Sequence, residues 1–141
     1  MTCCLASSSS FSRRLLSSSA VHAYLQHLEQ VPDLIASVLK QSDSIRDAVA
    51  QLITRENWLF LGRGFNYPVA MEGALKLKEI SYLHAEGYSA GEMKHGPIAL
   101  VEPAMFTVAI AVEGAAKEQM IANIMEIKAR SGPVIAVATQ G

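Results

Sequence analysis

The chain has 141 residues, half of them apolar, with 12 Lys and Arg against 13 Asp and Glu for a formal net charge of −1. That length holds one domain of ordinary size, and the near-neutral balance excludes a nucleic-acid binder built on a basic face. No apolar run approaches the roughly 20 residues that span a bilayer, so no membrane segment is expected.

The only cysteines are the neighbours Cys3 and Cys4. They match neither a CxxC redox pair nor a zinc spacing, which points to a reducing compartment. They lie in a serine-rich stretch, residues 1–20, that carries Arg13 and Arg14 and has no acid before Glu29. Such a stretch reads as an organelle transit peptide, as a disordered tail, or as a mis-joined start to a truncated gene. Residues 21–56 read as a helical lead-in of two pieces. Leu25, Leu28, Val31, Ile35, Val38 and Leu39 recur at helical spacing, with Pro32 as a break and Ser42 or Asp43 capping the second piece. His22 and His27 fall in no ligand pattern and receive no role.

From Trp58 the pattern changes. Trp58–Leu61 is a short apolar run that leads into Gly62-Arg63-Gly64, where glycine lets the backbone turn or approach a neighbour closely. Pro68 suits the first turn of a helix that is predicted to run to Leu83. On that helix Glu72, Lys76 and Glu79 fall at i, i+4 and i+7, one stripe. A loop rich in ionisable groups is expected next, up to Val101. Met105–Val112 reads as a buried strand and Ala115–Arg130 as a helix burying Ile121, Ile124, Met125 and Ile127. Gly132 serves as its stop, and Pro133–Ala138 as a last strand. Alternating strands and helices with short connections argue an α/β fold on a parallel sheet with right-handed crossovers. Three strands can be counted, few for an open sheet.

Two readings stand beside each candidate residue. Glu79 is either a general base, if its carboxyl is buried, or half of a solvated ion pair with Lys76. His95, presented by the Gly96-Pro97 turn, is either a surface histidine or a proton carrier near neutral pH. Gly62 and Gly64 form a tight turn first, and contact a bound anion second. No metal or cofactor is expected, because the chain lacks HExxH, a cysteine cluster, a P-loop and a dinucleotide fingerprint.

The stretch GRGFNYPVAMEGALKLKEISYLHAEGYSAGEMKHGPIAL, above all EGALKLKE and AGEMKHGP, resembles the second sugar-isomerase (SIS) half of the glutamine–fructose-6-phosphate aminotransferases, also called glucosamine-6-phosphate synthases. The likeness extends from Val31 to Thr139, weakly at its ends. It implies a three-layer, flavodoxin-like α/β sandwich with a parallel sheet, cut short at both ends, with residues 57–141 as a partial SIS domain. The family converts fructose 6-phosphate and glutamine to glucosamine 6-phosphate and glutamate, the start of amino-sugar nucleotide synthesis. The resemblance makes Glu79 the base that moves a proton between C1 and C2 through an enediol. Lys76 becomes the cation beside the C2 oxygen, and Glu72 the residue that orients Lys76. His95 opens the sugar ring in the neighbouring subunit's site, so a homodimer is implied. The sugar phosphate belongs mainly to serine- and threonine-rich loops of the other isomerase half.

The departures from the family pattern are large. Nothing here matches its glutaminase domain with an N-terminal cysteine, its first isomerase half, or its C-terminal tail with an imine-forming lysine. The expectation is therefore the isomerase portion alone, with fructose 6-phosphate as partner and neither nucleic acid nor membrane. The alternatives are a non-catalytic sugar-phosphate-binding module and an inert structural fragment. A cytoplasmic location is expected, or an organelle if residues 1–20 are a transit peptide.

Overall fold

The computed structural model describes residues 17–50, 52 and 54–139. The expectations for Cys3, Cys4 and most of the leader fall outside the described residues. Those residues divide into two compact units, the break falling between Gln51 and Leu52.

The first unit holds helices α1 (Ser18–Leu39) and α2 (Ser42–Ala50). The Ser17 hydroxyl caps α1 by accepting from the Ala20 N–H at 3.2 Å. The break expected at Pro32 does not occur, and the helix runs straight through it. Proline removes one N–H and so orphans a carbonyl one turn earlier. No residue of α1 is buried, so water can satisfy that carbonyl, and the cost stays tolerable. The second helix starts at Ser42, which is its first helical residue rather than a cap before it, and Asp43 pairs with Arg46 at 2.9 Å.

The second unit is a four-stranded, all-parallel sheet with strand order β2-β1-β3-β4. Its strands are β1 (Asn57–Gly62), β2 (His84–Ser89), β3 (Met105–Ala111) and β4 (Val134–Ala138). Helix α3 (Asn66–Ser81) joins β1 to β2, two 3₁₀ turns (Ala90–His95 and Pro97–Leu100) lead from β2 to β3, and α4 (Lys117–Ala129) joins β3 to β4. Strand β1 sits at the centre, with Trp58 opposite Ala85 on one side and Phe106 on the other.

Because strand side chains alternate faces, β1 feeds two cores. Trp58 and Phe60 join Ala74 and Leu77 of α3, Ala85, Phe106, Val108 and Ile135. The indole meets the Phe106 ring at 4.9 Å between centroids and donates to the Arg55 carbonyl at 3.0 Å. Leu59 and Leu61 face the other way, toward Ala90, Met93, Ala109, Ala111, Met120 and Ile127. Thus α3 covers one face of the sheet, while α4 and the first 3₁₀ turn cover the other. The expected α/β three-layer sandwich is the fold found.

Three local expectations need correction. Strand β2 lies inside the segment expected to be loop, which raises the strand count from three to four. Helix α3 ends at Ser81 rather than Leu83, because Tyr82 takes a left-handed conformation (φ 59°) and its N–H closes on the Lys78 carbonyl. On α4 the buried residues are Met120, Asn123 and Ile127, whereas Ile121 and Met125 are exposed. The helix is therefore rotated from the expected face. Asn123 is tolerated on the buried side because its Oδ1 accepts from Arg63 at 3.2 Å, so a polar group there is satisfied.

Two glycines are required by close packing rather than by a turn. A Cβ on Gly62 would collide with the carbonyl of Asn66, and one on Gly87 would lie 2.6 Å from the Met71 Cα. Both obstacles are helix backbone and cannot swing aside. Gly62→Ala and Gly87→Ala are each expected to lower stability by about 1–3 kcal/mol, read as a lower urea midpoint. At Gly64 (φ +53°) an added methyl meets nothing, so Gly64→Ala is expected to cost about 1 kcal/mol at most, from backbone strain alone.

Candidate functional site

Helix α3 places its charged residues by phase alone. Ala70 and Ala74 are buried against the sheet. Residues two positions from Ala74, and five beyond it, point to the far side of a helix with 3.6 residues per turn. Glu72, Lys76 and Glu79 therefore form a stripe on the outer surface of α3. The Lys76 ammonium donates to Glu79 Oε2 at 2.6 Å and stands 3.6 Å from Glu72 Oε1. The structure brings these three candidates together, with one cation held between two carboxylates. The hydrogen bond and charge of Glu79, helped by Glu72, hold the Lys76 ammonium above the ordinary lysine value. All three side chains are about half exposed.

The charged stripe has apolar borders. Val69 and Ile80 flank it on one side and Met71 and Leu75 on the other, all exposed. Lys78 lies off the stripe, beside Met71 and Leu75 at a cleft of about 600 Å³ that runs between α3 and β2 and reaches Glu86 and Tyr88. The Tyr88 hydroxyl donates to Glu86 Oε2 at 2.6 Å, and that bond, with burial, raises the phenol above its usual range. His84 Nε2 stands 3.8 Å from the other oxygen of Glu86.

His95 is elsewhere. It closes the first 3₁₀ turn, whose Ala90 and Met93 are buried in the core under α4. Lys94 pairs with Glu126 of α4 at 2.8 Å, and Arg130 donates to the Ile98 carbonyl at 3.4 Å, so both 3₁₀ turns are fastened to that helix. The imidazole is exposed. The sheet lies between it and the Glu72–Lys76–Glu79 stripe, so one chain does not bring the two together.

The glycine turn occupies a third place. The chain leaves β1 toward β2 on one side, then returns past it to β3 on the other. The carboxyl ends of β1 and β3 therefore mark the point where strand order reverses, the usual location of a ligand crevice in such sheets. A crevice of about 410 Å³ is found there, lined by Arg63, Gly64, Phe65, Asn66 and residues 112–116. Gly64 opens onto it, but Gly62 is packed under α3. Neither spacing nor motif singles out Arg63. It lines the crevice, bonds Asn123, and lies under 4 Å from where a side chain on Gly91 would begin. Only a fold that brings β1, α4 and the first 3₁₀ turn to one corner could reveal it.

Among the described residues no group of three or more His, Cys, Asp or Glu side chains is arranged to hold a metal ion, and no helix is long and apolar enough to cross a membrane.

A family model described as the SIS domain matches residues 51–141. The chain belongs to the SIS-domain family. Its relatives narrow the kinship. The glutamine–fructose-6-phosphate aminotransferase (isomerizing) of Chlorobaculum tepidum is 48% identical over 128 residues, 91% of this chain and 21% of that protein. Its counterpart in Methanosarcina acetivorans is 49% identical over 126 residues, 89% of this chain and 20% of that protein. The C-terminal domain of glucosamine-fructose-6-phosphate aminotransferase from Francisella tularensis superposes with a TM-score of 0.84 at 40% identity, covering 87% of this chain and 34% of that one. This SIS chain thus spans about a fifth of the length of the curated relatives it matches.

The ion triad makes a direct spectroscopic test possible. The Lys76 ammonium is expected to titrate above the free-lysine value, and Glu79→Gln should bring it down, as followed by NMR of the lysine Cε and Nζ resonances. Since the folded value is the raised one, any contribution to stability is complete at neutral pH. It is lost only as pH climbs through the lysine range. An unchanged Lys76 midpoint in Glu79→Gln would show that the pair does not form in solution.

Proposed function

We propose that this chain is the isomerase portion of a glucosamine-6-phosphate synthase, acting on fructose 6-phosphate within the conversion of fructose 6-phosphate and glutamine to glucosamine 6-phosphate and glutamate. The observation that carries the reading is the lysine bracketed by two carboxylates on the outer face of α3, in a chain nearly half identical to the aminotransferases.

In this reading Glu79 removes the C1 proton of the open-chain ketose and returns it at C2, while the proton of the C1 hydroxyl passes to the C2 oxygen. The enediolate that forms in between carries its charge on the C2 oxygen, where the Lys76 ammonium stands. Glu72 holds Lys76 in line from the other side. A positioned carboxylate is worth about 10²–10⁴-fold in such a step, and a preorganised cation stabilises the charge that develops only in the transition state. His95 opens the sugar ring from the neighbouring subunit. Two features support this: the sheet separates His95 from the stripe of its own chain, and the exposed stripe with apolar borders suits a site that another surface completes. The Gly64 backbone and the Arg63 side chain line the remaining ligand-sized crevice at the strand ends.

Deuterium exchange into fructose 6-phosphate in heavy water, read by NMR, tests the assignment. Exchange at C1 of the ketose is expected from the folded chain, falling at least about 10²-fold in Glu79→Gln with no change in the unfolding midpoint. Equal exchange in both proteins would remove Glu79 from the reaction. The subunit assignment has its own test. Glu79→Gln and His95→Asn chains, each inactive alone, are expected to recover part of the activity when mixed. A mixed dimer keeps one site with both groups, whereas a histidine acting in its own chain would give no recovery.

A further inference from the structure

His95 is carried by an element that does not set its own rotation. The 3₁₀ turn Ala90–His95 has six residues, more than such turns usually run, and no side chain caps its start. Its backbone hydrogen bonds have poor geometry, so side-chain anchors decide how it sits. With three residues per turn, its side chains leave in three directions about 120° apart. Ala90 and Met93 share the first direction and are fully buried in the core under α4. Gly91 and Lys94 share the second. Glu92 and His95 share the third, and both are exposed. Burial of Met93 alone leaves the roll of the turn loose, because methionine is unbranched and adapts to its pocket.

The second direction meets α4. Asn123 and Glu126 stand one turn apart on that helix, and Arg130 ends it one turn further on. Asn123 Oδ1 holds the Arg63 guanidinium, whose Nη1 lies 3.5 Å from where a Cβ on Gly91 would stand. Glu126 Oε1 accepts from Lys94 at 2.8 Å, and Arg130 donates to the Ile98 carbonyl just past the turn. Successive positions of one helix thus grip the connection at successive places. The Lys94 contact is the one that bears on rotation most directly, since Lys94 is the neighbour of both Met93 and His95. The other oxygen of Glu126, Oε2, is shielded from solvent and has no hydrogen bond, so losing Lys94 would leave that carboxylate half-buried and uncompensated. We propose, resting on the reading of His95 as the group that opens the sugar ring, that Glu126 is a positioning residue for it. Acting through Lys94, Glu126 fixes the roll of the 3₁₀ turn. With Met93 held in the core and Lys94 on α4, the third direction is determined, and the imidazole is aimed outward toward the neighbouring subunit.

Deuterium exchange at C1 of two ketoses separates a lost aim from general damage. Fructose 6-phosphate must be opened before it reacts. 5-Deoxyfructose 6-phosphate stays open, because it lacks the C5 hydroxyl and its C6 oxygen carries the phosphate. Glu126→Gln and Lys94→Met are each expected to slow exchange into fructose 6-phosphate at least about tenfold. The double variant should be no slower than the worse single one, and Lys94→Arg, which keeps the pair, should keep the rate. All of these variants, and His95→Asn, are expected to exchange the open analogue as fast as the unaltered chain. Native-state amide exchange gives a readout free of activity: the amides of residues 91–96 are expected to exchange at least about twofold faster in Glu126→Gln, with those of β1 and β3 unchanged. Equal slowing on both ketoses, full-rate exchange of fructose 6-phosphate in Glu126→Gln, or unchanged amides would overturn the proposal. Full-rate exchange of fructose 6-phosphate in His95→Asn would instead remove the ring-opening role, and the positioning role would fall with it. If the unaltered chain exchanges neither ketose, the isomerase reading fails, and the amides alone decide whether Glu126 fixes the turn.

Discussion

The meeting of Gly62 with the first turn of α3 governs the geometry of one whole side of this domain. The last residue of the central strand has no side chain, and the carbonyl of Asn66 fills the space where one would stand. The helix can therefore begin directly over the strand end. Its axial position and rotation are then fixed by Ala70 and Ala74 pressed on the sheet. Once that rotation is set, helical geometry decides where every other residue of α3 points. The stripe of Glu72, Lys76 and Glu79 faces outward because two alanines face inward. A bulkier residue at any of these small positions would lift the helix and move the stripe with it.

How far the residues alone reveal the structure depends on how many faces each element buries. Strands β1 and β3 are buried on both faces, so they read as continuous apolar runs, and their expected limits fall within a residue of those found. Helix α3 is legible because Pro68 and the ion-pair spacing both signal a helix. Strand β2 is not. The half of His-Ala-Glu-Gly-Tyr-Ser that faces α3 is tiny, buried Ala85 and half-buried Gly87, and at Gly87 the α3 backbone lies too close for anything larger. Tight packing removes the apolar signal that would announce the strand. The face of α4 is hard to read for the opposite reason. Isoleucine and methionine are spread around the helix, and the buried polar residue, Asn123, is explained only by Arg63, sixty positions earlier. Pro32 reads as a break because its local cost is certain, whereas solvent relief of that cost depends on the helix being exposed.

The site shows the same division. Spacing on one helix is enough to join Glu72, Lys76 and Glu79, since neighbours at three and four positions meet on any α-helix. Spacing cannot place His95 or the glycine turn relative to them, because that depends on which face of the sheet each connection crosses. The topology answers it: β1-α3-β2 runs over one face, and the return through the 3₁₀ turns runs over the other. The candidate residues therefore occupy three places in one chain: the outer face of α3, the crevice at the strand ends, and the layer under α4.

An exposed ion triad contributes little to stability, since solvent screens it and the side chains lose freedom in forming it. The α3 triad is held by geometry that costs the fold almost nothing to abandon, and it is bordered by apolar side chains that gain nothing from water. Both features lose their oddity if the surface is not a final one. Covered by a second surface, Val69, Met71, Leu75 and Ile80 would be buried, and the charges between them would act in a medium where each is felt more strongly. The stripe would then change from a solvated surface feature to a preorganised electrostatic one with no rearrangement of α3. The same residues are thus nearly neutral for the folding of this domain, and their charges would gain strength only at a site that another surface completes.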